Sequence, residues 1–247
     1  SKNTIYENEL QFNGHNLTLI SVYEDWWNDN IGSSAVTFHL SVKDSGDLPV
    51  YPFNITVSQG KNSIGAYLIP TVVLPAHTKQ ITCFMLPTSM PSGENQLNIS
   101  LFDKSGVVLV QKTLTVAQKN PIDSWIYQWH YLGSQTLKIP EVDWFYDYYK
   151  SLERFDIIDY AAYVFDRYDD RYIEFLSNQL LSLKNLKTDV DKINFIASFV
   201  QGIEYKKDDL ENETYEYPRY PLETLKEKRG DCEDKAILTA ALLESLG

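Results

Sequence analysis

A cysteine set among acids has the strongest chemical potential in this chain. In Arg229-Gly230-Asp231-Cys232-Glu233-Asp234 the thiol follows a glycine turn and opens a strongly helical run to Gly247. Asp231 reads as an N-cap and Asp234, three residues on, as its capping-box partner. Ala236, Ala240 and Leu243, with Ile237 and Leu246, recur at helical spacing, which predicts Cys232 on the first turn of a buried helix. There the unpaired N–H groups and the helix dipole favour a thiolate, the nucleophilic form. The carboxylates of Asp231, Glu233 and Asp234 act the other way, because each disfavours a second negative charge nearby. A reactive Cys232 therefore needs a cationic partner, usually an imidazolium. The competing reading is a small core hydrophobe, the commoner fate of a free helical cysteine.

The elements that must position this thiol precede it. Thr188 opens a helix with Asp189 and Asp191 in its first turn and Ile193, Ile196, Ala197 and Val200 on one face. Gly202 can end that helix, and residues 206–216 read as a polar loop. Pro218 and Pro221 then bracket the approach to a short helix, Leu222 to Lys228, that feeds the cysteine turn.

The string GDCEDKAILTAALLESLG, from Gly230 to Gly247, resembles the nucleophile helix of the transglutaminase-like superfamily, in particular its bacterial and archaeal Gly-Asp-Cys-Glu-Asp branch. The upstream strings Phe199 to Tyr205 and Tyr220 to Leu225 fit the same pattern, and the likeness covers roughly the last quarter of the chain. The resemblance implies a papain-like core with a Cys, His, Asp triad, Cys232 at the nucleophile position, and attack on the carbonyl carbon of a glutamine side chain or a peptide bond in a protein or peptide substrate. In the family the histidine and aspartate follow the cysteine helix, whereas no histidine follows Cys232 here. The expectation is therefore an inactive fragment of an extracytoplasmic cysteine peptidase or acyltransferase. The alternative is a surface or adhesion protein that uses the transglutaminase-like part as a noncatalytic interaction scaffold. The resemblance also implies a regulatory calcium at the acids beside the cysteine, Asp231 and Glu233. Two carboxylates are too few for a cation that takes six or more oxygens, and helix capping explains the same acids.

Composition narrows the wider choice. The 247 residues suffice for two domains, and a 43% hydrophobic content argues for packed cores. A formal charge of −12 without clustered Lys and Arg argues against nucleic acid. It suits a soluble protein that meets cations such as calcium outside the cell. No apolar run reaches membrane-spanning length, so no membrane insertion is expected; the runs near Tyr67 to Leu74 and Val107 to Val110 read as buried strands. The two cysteines, Cys83 and Cys232, make no disulfide framework, and Cys83 lies in an apolar, strand-like run. His15, His39, His77 and His130 lack metal-ligand spacing, so zinc is not expected. Asn16, Asn54, Asn98 and Asn212 head glycosylation triplets. No leader opens the chain, so a segment cut from a longer extracellular or cell-surface protein, archaeal or bacterial, is expected.

The fold class expected is α+β with several domains. Residues 1–117 read as an antiparallel β-sandwich, with strands at Ala35 to Val42, Phe53 to Val57, Thr71 to Leu74, Thr78 to Leu86, Gln96 to Phe102 and Val107 to Val116. Asp103-Lys104-Ser105-Gly106 is a hairpin signal. With Asp44 to Pro49, Leu74-Pro75-Ala76 and Pro91-Ser92-Gly93, this part resembles the immunoglobulin-like, adhesion-related modules of surface proteins. Trp26-Trp27 reads either as a sugar-stacking pair or as one buried and one half-exposed ring. Residues 118–186 read as an aromatic-rich linker followed by helices, in which Phe155, Ile158, Ala162 and Phe165, then Ile173, Leu176, Leu180 and Leu183, recur at helical spacing. Their aromatic rings are expected to pack the sandwich against the helical part, rather than to form a glycan or peptide groove. Residues 187–247 read as the N-terminal part of an incomplete transglutaminase-like domain. Deprived of its sheet, the last helix is expected to expose Ile237, Leu242 or Leu246 and to self-associate.

Overall fold

The computed structural model describes residues 4–11, 17–28, 34–69, 71–86, 95–116, 120–154, 159–208 and 217–247. The chain divides into two compact units, Ser1–Ile122 and Asp123–Gly247. Together they form a mixed α+β protein with antiparallel sheets in its N-terminal part and helices in its C-terminal part. Asn16, Asn212, His15, Phe155, Ile158 and Pro91-Ser92-Gly93 lie outside the described residues.

The first unit holds β1 (Thr4–Gln11), β2 (Leu17–Asn28), β3 (Ser34–Asp44), β4 (Asn54–Gln59), β5 (Asn62–Leu68), β6 (Thr78–Met85), β7 (Asn95–Phe102), β8 (Val108–Val116) and β9 (Asn120–Pro121). One sheet runs β1-β8-β7-β4-β5 and the other β6-β3-β2-β9, with every pairing antiparallel except β2 with β9. Alternation explains which residues fill the core: Val36, Phe38, Leu40 and Val42 of β3 are buried, as are Ile55 and Val57 of β4 and Leu97, Ile99 and Leu101 of β7. Cys83 sits in this core at 0% exposure, and burial drives its thiol far above the ordinary range. Trp26 and Trp27 are both buried, which removes the sugar-stacking reading and the half-exposed ring alike.

Two strand expectations are corrected here. Thr71 to Leu74 is not a strand; Val73 only bridges Val50. The partner of β4 is instead β5, reached through Gly60 at φ 58°, and its polar, glycine-containing sequence NSIGAYL hid it.

The second unit begins with β10 (Ser124–His130) and β11 (Ser134–Pro140), an antiparallel hairpin turned at Leu132 and Gly133, both with positive φ. Then follow α1 (Asp143–Lys150), α2 (Ala161–Val164), α3 (Asp170–Ser182), α4 (Asp189–Gln201), β12 (Glu204–Tyr205), α5 (Pro221–Glu227), β13 (Arg229–Gly230) and α6 (Cys232–Glu244). The aromatic stretch is thus a strand, not a linker: SWIYQWH alternates, burying Trp125, Tyr127 and Trp129. These rings do not wait for the sandwich. They pack within their own unit, with centroids 5.3 Å apart for Tyr127 and Phe199, 5.2 Å for Trp129 and Phe199, and 6.4 Å for Trp125 and Tyr172. Gly202 is required where the hairpin crosses the end of α4, because a Cβ there would lie 2.7 Å from the Cβ of Trp129.

Helix α4 begins where its sequence says it should, with Thr188 and Asp191 forming a reciprocal capping box. Its buried face is Phe195, Ile196, Phe199 and Val200, while Ile193 is exposed. The stripe on α6 also differs from expectation. Ile237, Leu238, Ala241 and Leu242 are buried, and Ala236 and Ala240 face out. Ile237 and Leu242 are 2% and 0% exposed, so neither is available for the self-association expected of them. Helices α3, α4 and α5 cover that stripe from within the unit. Among the described residues, no helix is long and apolar enough to cross a membrane.

Candidate functional site

Cys232 is the first residue of α6, and three features set its place. The short parallel pair β12 and β13 joins Tyr205 to Gly230, with the Lys206 amide donating to the Gly230 carbonyl at 3.1 Å. Helix α5 ends on Lys228 in the left-handed region at φ 52°, which turns the chain into β13. Asp231 is then the N-cap of α6 and forms a capping box with Asp234, whose Oδ2 accepts from the Asp231 amide at 3.2 Å. Gly230 is obligatory for this geometry: a Cβ there would meet the Asp234 Cβ at 2.7 Å and Oδ2 at 2.9 Å.

Beneath the turn lies an ion-pair network that the sequence does not announce. Asp234 is fully buried and takes two bonds of 2.7 Å from Arg219, one from its backbone amide to Oδ1 and one from Nη1 to Oδ2. The same Nη1 reaches Asp208 Oδ1 at 2.8 Å, and Arg219 Nε reaches Glu227 Oε2 at 3.2 Å. These acids hold the Arg219 guanidinium far above its ordinary pKa, although burial works against it. A second pair fixes α5: Arg154 Nη2 contacts both oxygens of the fully buried Glu223 at 2.7 and 2.6 Å, and Glu223 also accepts from the Tyr217 hydroxyl at 2.8 Å. Neither pairing follows a local spacing rule, since Arg154 and Glu223 are 69 residues apart. The only sequence signal was an arginine between two prolines, Pro218-Arg219-Tyr220-Pro221, in an acidic chain.

Above the turn the charges are unbalanced. Cys232 is exposed, so the core reading of this thiol is excluded, and its Sγ donates to Glu233 Oε2 at 3.2 Å. That bond, then the charge of Glu233, raises the thiol pKa, with burial and Asp231 adding to it. Asp231 is 7% exposed, its Oδ1 has no hydrogen-bond donor, and burial, Glu233 and Asp208 push its carboxyl up to about 6. The exposed phenol of Tyr205 adjoins the same anions, which raise its pKa after desolvation. The unit's histidine, His130, sits exposed on β10, and the thiol's hydrogen bond goes to Glu233 instead. The arrangement presents an accessible nucleophile at a helix N-terminus, held as a thiol by its neighbour.

Asp208, Asp231 and Asp234 each place an oxygen within 4.8 Å of the others. Arg219 already neutralises Asp208 and Asp234, at 2.8 and 2.7 Å, and Glu233 is turned to the thiol. With Arg219 in place these residues do not offer the six or more oxygens calcium takes.

Comparison with known proteins agrees with the motif. Residues 178–247 match the model of the transglutaminase-like superfamily, so this C-terminal segment is transglutaminase-like. No curated protein matches. Among solved structures, a GH2 β-galacturonidase from Eisenbergiella tayi bound to galacturonate shares 14% identity over 50% of this chain and 21% of its own, with a TM-score of 0.33. A protein from Archaeoglobus fulgidus shares 15% identity over 41% of this chain and 98% of its own, with a TM-score of 0.28. The chain thus spans about a fifth of the galacturonidase, and likenesses this slight carry no argument about chemistry.

Proposed function

We propose that this chain belongs to an extracytoplasmic cysteine peptidase or acyltransferase that acts on protein or peptide substrates through Cys232. The observation that supports this most is the exposed thiol at the first residue of α6, in a turn built by Gly230, Asp231 and Asp234. On this reading the Cys232 sulfur attacks a carbonyl carbon, forms a thioester, and expels an amine or ammonia that takes up a proton from a general acid. The N–H groups at the start of α6 would support the negative charge that develops on sulfur beforehand and on oxygen afterwards.

Glu233 opposes the first of these steps, because it stabilises the thiol over the thiolate. The 247 residues offer no histidine after Cys232 to reverse that, so they are proposed to be inactive by themselves, the relay histidine and its aspartate being supplied by following chain. Iodoacetamide labelling tests this. Alkylation of Cys232 is expected to be slow at pH 7 and to speed up above the ordinary thiol range; fast alkylation at pH 7 would sink the silent-fragment reading. A regulatory calcium at Asp231 and Glu233 is a separate proposal, supported only by the unpartnered Asp231 Oδ1. Calorimetry showing no calcium heat with the intact parent would end it. The N-terminal sheets are proposed to serve as an immunoglobulin-like surface module that positions the enzyme or its substrate.

A further inference from the structure

At the far end of α6 from Cys232, a cavity of about 260 Å³ lies against the first turn of α3 and the last turn of α6. Its wall carries Asp169, Asp170, Glu174 and Glu244, with Val164 and Ile173 as apolar surface. Asp169 is 4% exposed, and its Oδ2 is shut from solvent without any hydrogen-bond donor. It stands at the N-cap of α3 yet makes no capping bond with its side chain, so helix capping does not account for it. A buried acceptor left without a donor is costly, and the more so if ionised, which marks a position where a donor belongs.

The surroundings state which donor. Burial, then Asp166 and Asp170, drive the Asp169 carboxyl well above its ordinary value, against a smaller opposite pull from the Tyr149 hydroxyl. Asp170 is also raised, by burial and then by Glu244, with Arg167 and Arg171 countering. Arg171 is engaged with Glu174 at 3.0 Å. Helix α6 has no basic residue in its last turn to offset its negative end. Negative charge therefore accumulates around a partly apolar hollow. A bare divalent metal suits it poorly, since among the described residues the carboxylates that converge within 4.8 Å are Asp208, Asp231 and Asp234 and not these.

We propose that this cavity binds an organic cation, the ammonium group of an alkylamine, which donates to Asp169 Oδ2 and rests its methylenes on Val164 and Ile173. The amine is a free polyamine or a lysine side chain of a protein; the ammonium chemistry is common to both. Glu244 and Cys232 are 12 residues apart on one helix, roughly 18 Å at 1.5 Å per residue. The site is thus separate from the thiol and does not rest on its reactivity.

Isothermal titration of the full chain at 150 mM salt with spermidine, and separately with N-acetyl-lysine amide, tests the proposal. Saturable one-to-one binding of either probe is expected, weakened at least about tenfold by Asp169→Asn and roughly twofold to threefold by Glu244→Gln. Binding is also expected to release protons as Asp169 ionises, seen as unequal heats in phosphate and Tris buffers. Preference for spermidine or for the lysine amide identifies the source. Glu244 is exposed, so its variant remains informative should Asp169→Asn fail to fold. Three results would overturn the site: neither probe saturating by about 10 mM, equal affinity in the parent chain and both variants, or magnesium binding through Asp169 more tightly than either amine.

Discussion

Two groups of carboxylates lie within one turn of each other at the start of α6, and the protein treats them in opposite ways. Below the turn, Asp234 and, on α5, Glu223 are fully buried and each is held by an arginine. Above it, Asp231 and Glu233 crowd a thiol with no cation between them. The buried acids are structural: an ion pair taken out of water must be closely matched, and matched pairs fix a loop in one geometry. The upper acids leave Asp231 with an unpartnered oxygen and Cys232 protonated, an unresolved balance of the kind found where chemistry or binding takes place.

Breaking the lower group should cost most. Arg219→Met would strand Asp234 and Asp208, and Arg154→Met would strand Glu223; each is expected to lose about 3–5 kcal/mol of stability in urea unfolding. Losses below about 1 kcal/mol would show that the network is ornamental and the comparison unsound. Gly230→Ala comes next, because its Cβ would lie 2.7 Å from that of Asp234. A loss of about 1–3 kcal/mol is expected in thermal melts, with Cys232 labelled at an altered rate.

The upper group should respond in reactivity more than in stability. Glu233→Gln removes the leading cause of the raised thiol pKa, so iodoacetamide labelling at pH 7 should quicken by about threefold to tenfold with little change in melting. An unchanged rate would mean that Glu233 does not hold the thiol. Asp231 supplies a pH test. Its folded pKa, about 6, exceeds its model value of 3.8, so the folded state binds the extra proton, and this contribution to stability is present below pH 3.8 and lost as pH rises to about 6. Asp231→Asn should flatten the slope in that window. The smallest effect is expected from Thr188→Ala, which removes the α4 capping box, remote from either group, at about 1 kcal/mol.

The features legible in the sequence are those decided within a few residues. The capping boxes at Thr188 and Asp231, the glycine before the cysteine and the alternation of β3 are all local, because a cap, a turn or a pleat needs only its neighbours. What faced where was not local. Burial of Ile237 and Leu242 depended on α3, α4 and α5 arriving over them, and the aromatic stretch became a strand because β11 paired with it and α4 received its rings. The charge map around Cys232 was split in the same way. Adjacent acids that raise its pKa were visible as Asp231 and Glu233, whereas Arg219 neutralising Asp234 across 15 residues, and Arg154 neutralising Glu223 across 69, were not. By itself the sequence determined that a cysteine would open a capped helix. Only the tertiary structure decided which of its acids remain charged partners of that cysteine, because Coulomb interactions depend on distance in space and not along the chain.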